Sequence, residues 1–185
     1  MKFSTTNIPG CKRIDLERHD DSRGFFARAW CAEEFVEEGL PGKIVQCSLS
    51  YNRTAGTLRG MHFQLPPSAE GKVVRCVRGE LFEAVVDLRS NLPSYLETVT
   101  VRLNDSDRTA LFIPPGCAHG FQTLEDDTEL LYMMTDSYQA ELGRGYRWND
   151  PVFDIDWPIA SPIIHERDAT YADFDDSVAR SVDWS

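Results

Sequence analysis

Lys72–Leu88 reads KVVRCVRGELFEAVVDL, and this stretch decides the fold. Val73, Val74, Val77, Val85 and Val86 supply β-branched side chains, which suit a pleated backbone better than a helix. Lys72–Arg78 and Glu80–Leu88 are therefore expected to form two strands meeting as a hairpin at Gly79. Working outward, Thr57–Gln64 reads as a strand ended by Pro66-Pro67, and Tyr95–Leu103, Thr109–Ile113, Ala118–Leu124 and Glu129–Met134 continue the series. Short strands at this spacing indicate a β-sandwich or barrel. No long helices alternate with them, as a doubly wound fold would require.

The flanks are less regular. Cys11–Glu17 reads as a strand, His19–Ser22 as a polar turn, and Arg23–Phe26 as extended chain. Ala32–Gly39 is the best helix candidate, stopped by Gly39 and Pro41, and Lys43–Tyr51 returns to strand. From Glu141 the chain reads as irregular, with Trp148 and Trp157 as packing residues.

With 185 residues, 42% hydrophobic and 26% charged, the chain can bury an ordinary core within one domain. No apolar run approaches the roughly 18 residues of a membrane span, and MKFSTTNIPG has no signal-peptide pattern, so a cytoplasmic location is expected. A net charge of −11 disfavours nucleic acid and anionic membranes as partners. It still permits a cationic pocket for a small anion. Five scattered cysteines form no CxxC, so neither a disulfide framework nor a zinc knuckle is expected. Cys117 stands beside His119, but nothing around it resembles the signature of a cysteine nucleophile.

The chemistry gathers around TLRGMHFQ. His62 lies between Arg59 and Lys72, and an imidazole flanked by cations suits proton abstraction beside an anionic ligand. His119 in IPPGCAHGF and Tyr132 in ELLYMMTDSY stand near the ends of later strands. Together they point to a carbanion-forming enzyme. Simple alternation sets Leu58, Gly60, His62 and Gln64 on one face, and Arg59, Met61 and Phe63 on the other. A site shared by Arg59 and His62 therefore requires a twist or bulge near Gly60.

The segments Asp21–Phe26, Val45-Gln46, Leu58–Gln64, Gly71–Arg75, Val86–Arg89, Ile113–Phe121, Tyr132, Thr135, Tyr138, Trp148–Pro151, Ile155–Pro158 and Arg167-Asp168 resemble the dTDP-4-dehydrorhamnose 3,5-epimerase family in order and register. The resemblance implies an all-β, cupin-type jelly roll with a few short helices; length and C-terminal acidity add the expectation of one domain over residues 1–185, with 169–185 as a flexible acidic tail. It implies epimerisation at C3, C5 or both of a nucleotide-diphosphate 4-keto-6-deoxy sugar, through an enolate and without a cofactor. The family's histidine base corresponds to His62, its supporting aspartate to Asp168 and its tyrosine acid to Tyr132. Lys72 is assigned to the enolate oxygen. Arg23, Gln46, Arg59, His119 and Tyr138 match substrate-binding positions, and relatives form homodimers in which Arg23 can complete the neighbouring site.

Three departures mark the substrate frame. Arg28 replaces a common glutamate, Ser48 closes a Gln46-Cys47-Ser48 run where QxN is usual, and Gly143 stands at an acidic position. The nucleotide and the number of centres inverted therefore stay open, with a C3-only epimerase as one alternative and a non-catalytic sugar-nucleotide binder as another. A metal enzyme is disfavoured, because Gln64 occupies the second place of a His-x-His pair.

Overall fold

The computed structural model describes residues 1–184. It opens with β1 (Lys2–Thr5), β2 (Lys12–Asp15), β3 (His19–Asp21), β4 (Gly24–Phe26), the short helix α1 (Ala32–Glu37) and β5 (Gln46–Asn52). Then follow β6 (Thr57–Gln64), β7 (Lys72–Arg78), β8 (Glu80–Asp87), β9 (Thr98–Asn104), β10 (Ala110–Ile113), β11 (Cys117–Thr123) and β12 (Thr128–Met134). β13 (Gly143–Gly145), β14 (Ile163–Ile164), α2 (Glu166–Ala169) and α3 (Asp176–Ala179) complete it.

Two sheets face each other. One has the order β1-β2-β10-β7-β12-β5, the other β13-β6-β11-β8-β9, and β14 adds to β6 in parallel. From β5 to β12 the chain passes repeatedly from one sheet to the other, which is a jelly roll. β3 and β4 form a separate hairpin.

The turn at Gly79 corrects the expected hairpin. β7 pairs with β10 and β12, whereas β8 pairs with β11 and β9, so the two strands lie in different sheets. A single connecting residue is shorter than a two-residue hairpin loop, and here it makes a corner instead. Gly79 has φ +76°, donates its N–H to Asp105 and would bring any Cβ within 2.6 Å of Thr128 Oγ1. No larger residue fits that corner.

Apolar side chains on both faces of the central strands are explained by three packed layers. Between the sheets lie Val74, Cys76, Leu81, Val85, Leu111, Phe121 and Leu130. Phe35 of α1 covers the outer face of the first sheet with Val73, Phe112 and Met133. The later chain covers the second sheet, packing Phe153 and Trp157 on Leu58, Met61, Ala84 and Val86. Each large side chain so buried contributes about 1.5–3 kcal/mol of transfer free energy. Every residue of β11 is buried for this reason.

The region after Glu141 is mostly irregular but contributes β13 and β14 to β6. The stretch expected as a loose tail is packed as far as Trp184. Asp150 accepts the Phe174 N–H at 2.6 Å, Phe174 meets Tyr146 and Phe153, and Trp184 lies against Phe63. Its acidity hid these aromatic anchors; Ser185 lies outside the described residues. All five cysteines are free. Among the described residues no helix is long and apolar enough to cross a membrane.

Candidate active site

A cavity of about 510 Å³ opens at one end of the sandwich, between β5, β6, β7, β11 and β12 and the C-terminal chain. Gln46, Ser48, Arg59, His62, Lys72, His119, Tyr132, Tyr138 and Gly143, all singled out from the sequence, line it. Asp168 stands immediately behind His62.

The bulge required near Gly60 is present. The β6–β11 register shifts between the His119↔His62 and Phe121↔Arg59 pairs. Gly60 sits at φ +138°, where a Cβ would lie 2.5 Å from Gly120 Cα, so two glycines meet at the irregularity. Leu58 and Met61 consequently pack outward while Arg59 and His62 both reach the cavity. Arg59 is steadied by Asn52 of β5, whose Oδ1 accepts its Nε–H at 2.9 Å.

His62 Nε2 is 3.0 Å from Asp168 Oδ1. Asp168 is only 2% exposed and also accepts the Gly60 N–H on Oδ2 and the Arg167 Nε–H on Oδ1. Burial pushes its carboxyl upward, but the bonds from His62, Gly60 and Arg167 prevail and hold it below the usual aspartate value. It thus stays ionised beside the imidazole. Sequence position alone, far along an acidic stretch, gave no hint of that burial.

The second histidine is sealed more deeply. His119 Nδ1 lies 2.7 Å from Glu83 Oε1, with both side chains buried, and its ring meets Tyr132 edge-on at 6.2 Å between centroids. Burial, with Lys72 and His62 adding smaller pushes, holds His119 well below the ordinary histidine value. Burial likewise drives Glu83 well up, against a smaller opposing pull from Lys72, and raises the Tyr132 hydroxyl well above an ordinary phenol. Lys72 pairs with the buried Glu70.

Two expected residues lie elsewhere. Arg23 is 87% exposed in the β3–β4 turn and pairs with Asp21 at 2.6 Å; Arg28 pairs with Glu34, which also binds the N-terminal amine. Neither lines this chain's cavity. Conversely, Glu70, Glu83, Arg144, Arg167 and Tyr171 belong to the site and were not singled out. Glu83 had a usable signal: a carboxylate inside LFEAVV, a strand apolar on both faces, must be buried with a partner. Tyr171, edge-on to His62 at 6.0 Å, had none.

Cys117 is buried, its thiol pushed well up chiefly by burial, and it does not line the cavity. Among the described residues no group of three His, Cys, Asp or Glu side chains is arranged to hold a metal ion. Four cations, Arg59, Lys72, Arg144 and Arg167, surround the histidines. Such a cavity suits proton transfer on an anionic substrate, the equipment of an isomerase of the acid–base type.

A family profile described as dTDP-4-dehydrorhamnose 3,5-epimerase matches residues 5–176. A protein of that name from Sinorhizobium fredii is 38% identical over 171 residues, covering 92% of this chain and 88% of its own. A dTDP-4-dehydrorhamnose 3-epimerase from Streptomyces niveus is 35% identical, covering 91% and 81%. The crystal structure of the Bacillus anthracis 3,5-epimerase with TDP and PPi bound superposes with a TM-score of 0.90 at 32% identity, covering 94% of this chain and 99% of that one. The chain belongs to the dTDP-4-dehydrorhamnose 3,5-epimerase family.

Proposed function

We propose that this enzyme epimerises a thymidine-diphosphate 4-keto-6-deoxy hexose through an enolate, with His62 as the base. The observation that carries the assignment is the His62–Asp168 pair at the cavity wall. Asp168 holds Nε2, leaving Nδ1 to take a proton from the carbon beside the ketone. The 4-keto group acidifies both C3 and C5, and the electrons released move onto O4. Lys72 meets the charge there, where a fixed cation stabilises the transition state more than the ground state. Tyr132, kept protonated by its burial, returns a proton to the opposite face.

Arg59, joined by Arg144 and Arg167, holds the diphosphate, for which a planar guanidinium is a bidentate partner. Gln46, Ser48, Tyr138 and Gly143 frame the sugar and base. The thymidine diphosphate is inferred from the ligands named for the Bacillus anthracis relative. Solvent deuterium provides the test: proton NMR in D₂O with a panel of 4-keto-6-deoxy nucleotide sugars is expected to show label at C3 and C5. Label at C3 alone would support the second reading, favoured by the Streptomyces niveus 3-epimerase and by Ser48 and Gly143 in the wall. Binding without exchange would leave a carrier of sugar nucleotides.

We also propose a cytoplasmic homodimer. Arg23 and Phe26, the latter 76% exposed, project on a hairpin with no place in their own cavity, which suits insertion into a partner's. Five free cysteines fit a reducing compartment.

A further inference from the structure

His119 and Glu83 form a histidine–carboxylate contact unlike the one at His62, and the surroundings differ in kind. Glu83 lies on β8 with its side chain fully buried, and among the described residues only one of its oxygens is satisfied: Oε1 meets His119 Nδ1 at 2.7 Å, while Oε2 is buried with no hydrogen-bond partner. An ionised carboxylate spreads its negative charge equally over both oxygens. Leaving one such oxygen dry and unpaired costs far more than leaving a neutral carbonyl there.

The charged groups around the pair do not rescue the ionic form. Lys72 is the cation that acts on Glu83, and its ammonium is already paired with Glu70. Arg59 is turned to Asn52, and His62 is held by Asp168. Tyr132 offers only its ring to His119. Making the pair ionic would also place an imidazolium beside Lys72, two cations in one sealed corner.

We propose that Glu83 is a positioning residue that carries a proton in the resting enzyme, donates it from Oε1 to Nδ1 of His119, and so fixes that ring as the Nε2–H tautomer. Oε2 is then the carbonyl oxygen of a neutral acid. With Nδ1 engaged, Nε2 is the ring's remaining polar atom, and His119 lines the cavity. The protein thus presents a neutral N–H donor beside the Lys72 ammonium. The raised Glu83 and lowered His119 agree with this proton placement. A neutral imidazole is an effective electrophile toward a ketone, since it donates to the oxygen as negative charge builds without trading its own proton. What the donor meets, O4 of the ketone, rests on the function proposed above; the tautomer does not.

The test begins without substrate. In ¹⁵N-labelled full-length protein, the His119 ring, assigned by its loss in H119N, is expected to show a bare acceptor Nδ1 and a protonated Nε2, unchanged between about pH 6 and 9. A protonated Nδ1, whether in the opposite tautomer or in an imidazolium, overturns the proposal. Kinetics then separate positioning from packing. E83L removes the proton donor and is expected to lower kcat by about 10²-fold with little change in KM. E83Q, whose amide N–H can donate to Nδ1, is expected to recover most of that loss and keep the tautomer. Full kcat in a folded E83L overturns the positioning role. Should E83L not fold, the wild-type spectrum and E83Q still decide: an E83Q ring with a protonated Nδ1 counts against the proposal. The expected tautomer in a protein that exchanges no 4-keto sugar would uphold the pair and sink the epimerase reading alone.

Discussion

Two histidines face each other across β6 and β11, each backed by a carboxylate, and they are built for opposite tasks. Asp168 receives hydrogen bonds from His62, a backbone N–H and an arginine, so its charge is supported on both oxygens. Glu83 has one partner and one orphan oxygen. The first pair can accept a proton because an ionised carboxylate waits to stabilise the imidazolium that forms. The second is locked neutral by its surroundings. Identical residue classes thus acquire different chemistry from the number of donors around the carboxylate, not from the contact distance, which is 3.0 Å in one and 2.7 Å in the other.

The largest effect expected from breaking this comparison comes from the His62 side. His62→Ala should abolish wash-in of solvent deuterium and cut turnover by about 10³-fold or more, in the range for loss of a general base. Turnover at the wild-type rate would remove His62 as the base. Tyr132→Phe comes next: exchange should continue, since His62 still removes the proton, while net inversion falls by about 10²-fold. Measuring exchange and inversion on the same NMR sample separates the two roles. An equal loss of both would move Tyr132 from proton return to ring positioning. Arg167→Leu should have a smaller effect, about tenfold on kcat/KM, because three other cations remain in the cavity. Steady-state kinetics with varied substrate would locate it mainly in KM if the diphosphate is its partner.

The difference between the pairs also explains what could be read from the chain. The strand series around Val73–Val86 was legible because β-branched runs have few other uses, and it gave the sandwich. It did not give the partner strands. Lys72–Arg78 and Glu80–Leu88 are apolar on both faces, so alternation could not tell a hairpin from a corner between sheets, and only the one-residue connection at Gly79 carried the distinction. At β6 the reverse held: Arg59 and His62 cannot share a site on a regular strand, and that conflict pointed correctly to Gly60. His62, Lys72, His119 and Tyr132 were found through their motifs. Asp168, without the resemblance, would pass for a surface aspartate. Glu83 was missed although its place inside LFEAVV marked a buried carboxylate, because its partner lies across β8–β11; Tyr171 was missed because its contact joins the C-terminal chain to β6, which no local pattern encodes. Arg23 and Arg28 lie outside this chain's own cavity, and for Arg23 the resemblance offered a neighbouring subunit's site instead.

The smallest effect sharpens the comparison most, because the two carboxylates should bend the stability curve in opposite directions. Asp168 has a folded value below its unfolded one of about 3.9. Its contribution is present above the unfolded value and is lost as pH falls through the lowered folded value, so stability rises with pH in the acid limb. Glu83 is raised well above 4.5. The folded chain then binds the extra proton, and stability falls as pH climbs from the unfolded value toward the folded one. Urea unfolding across this range, with D168N and E83Q beside the wild type, isolates each limb. D168N should flatten the acid rise and leave the fall near neutrality; E83Q should do the reverse. If E83Q keeps the wild-type decline above about pH 4.5, Glu83 is ionised in the folded protein, and the two pairs are chemically alike after all.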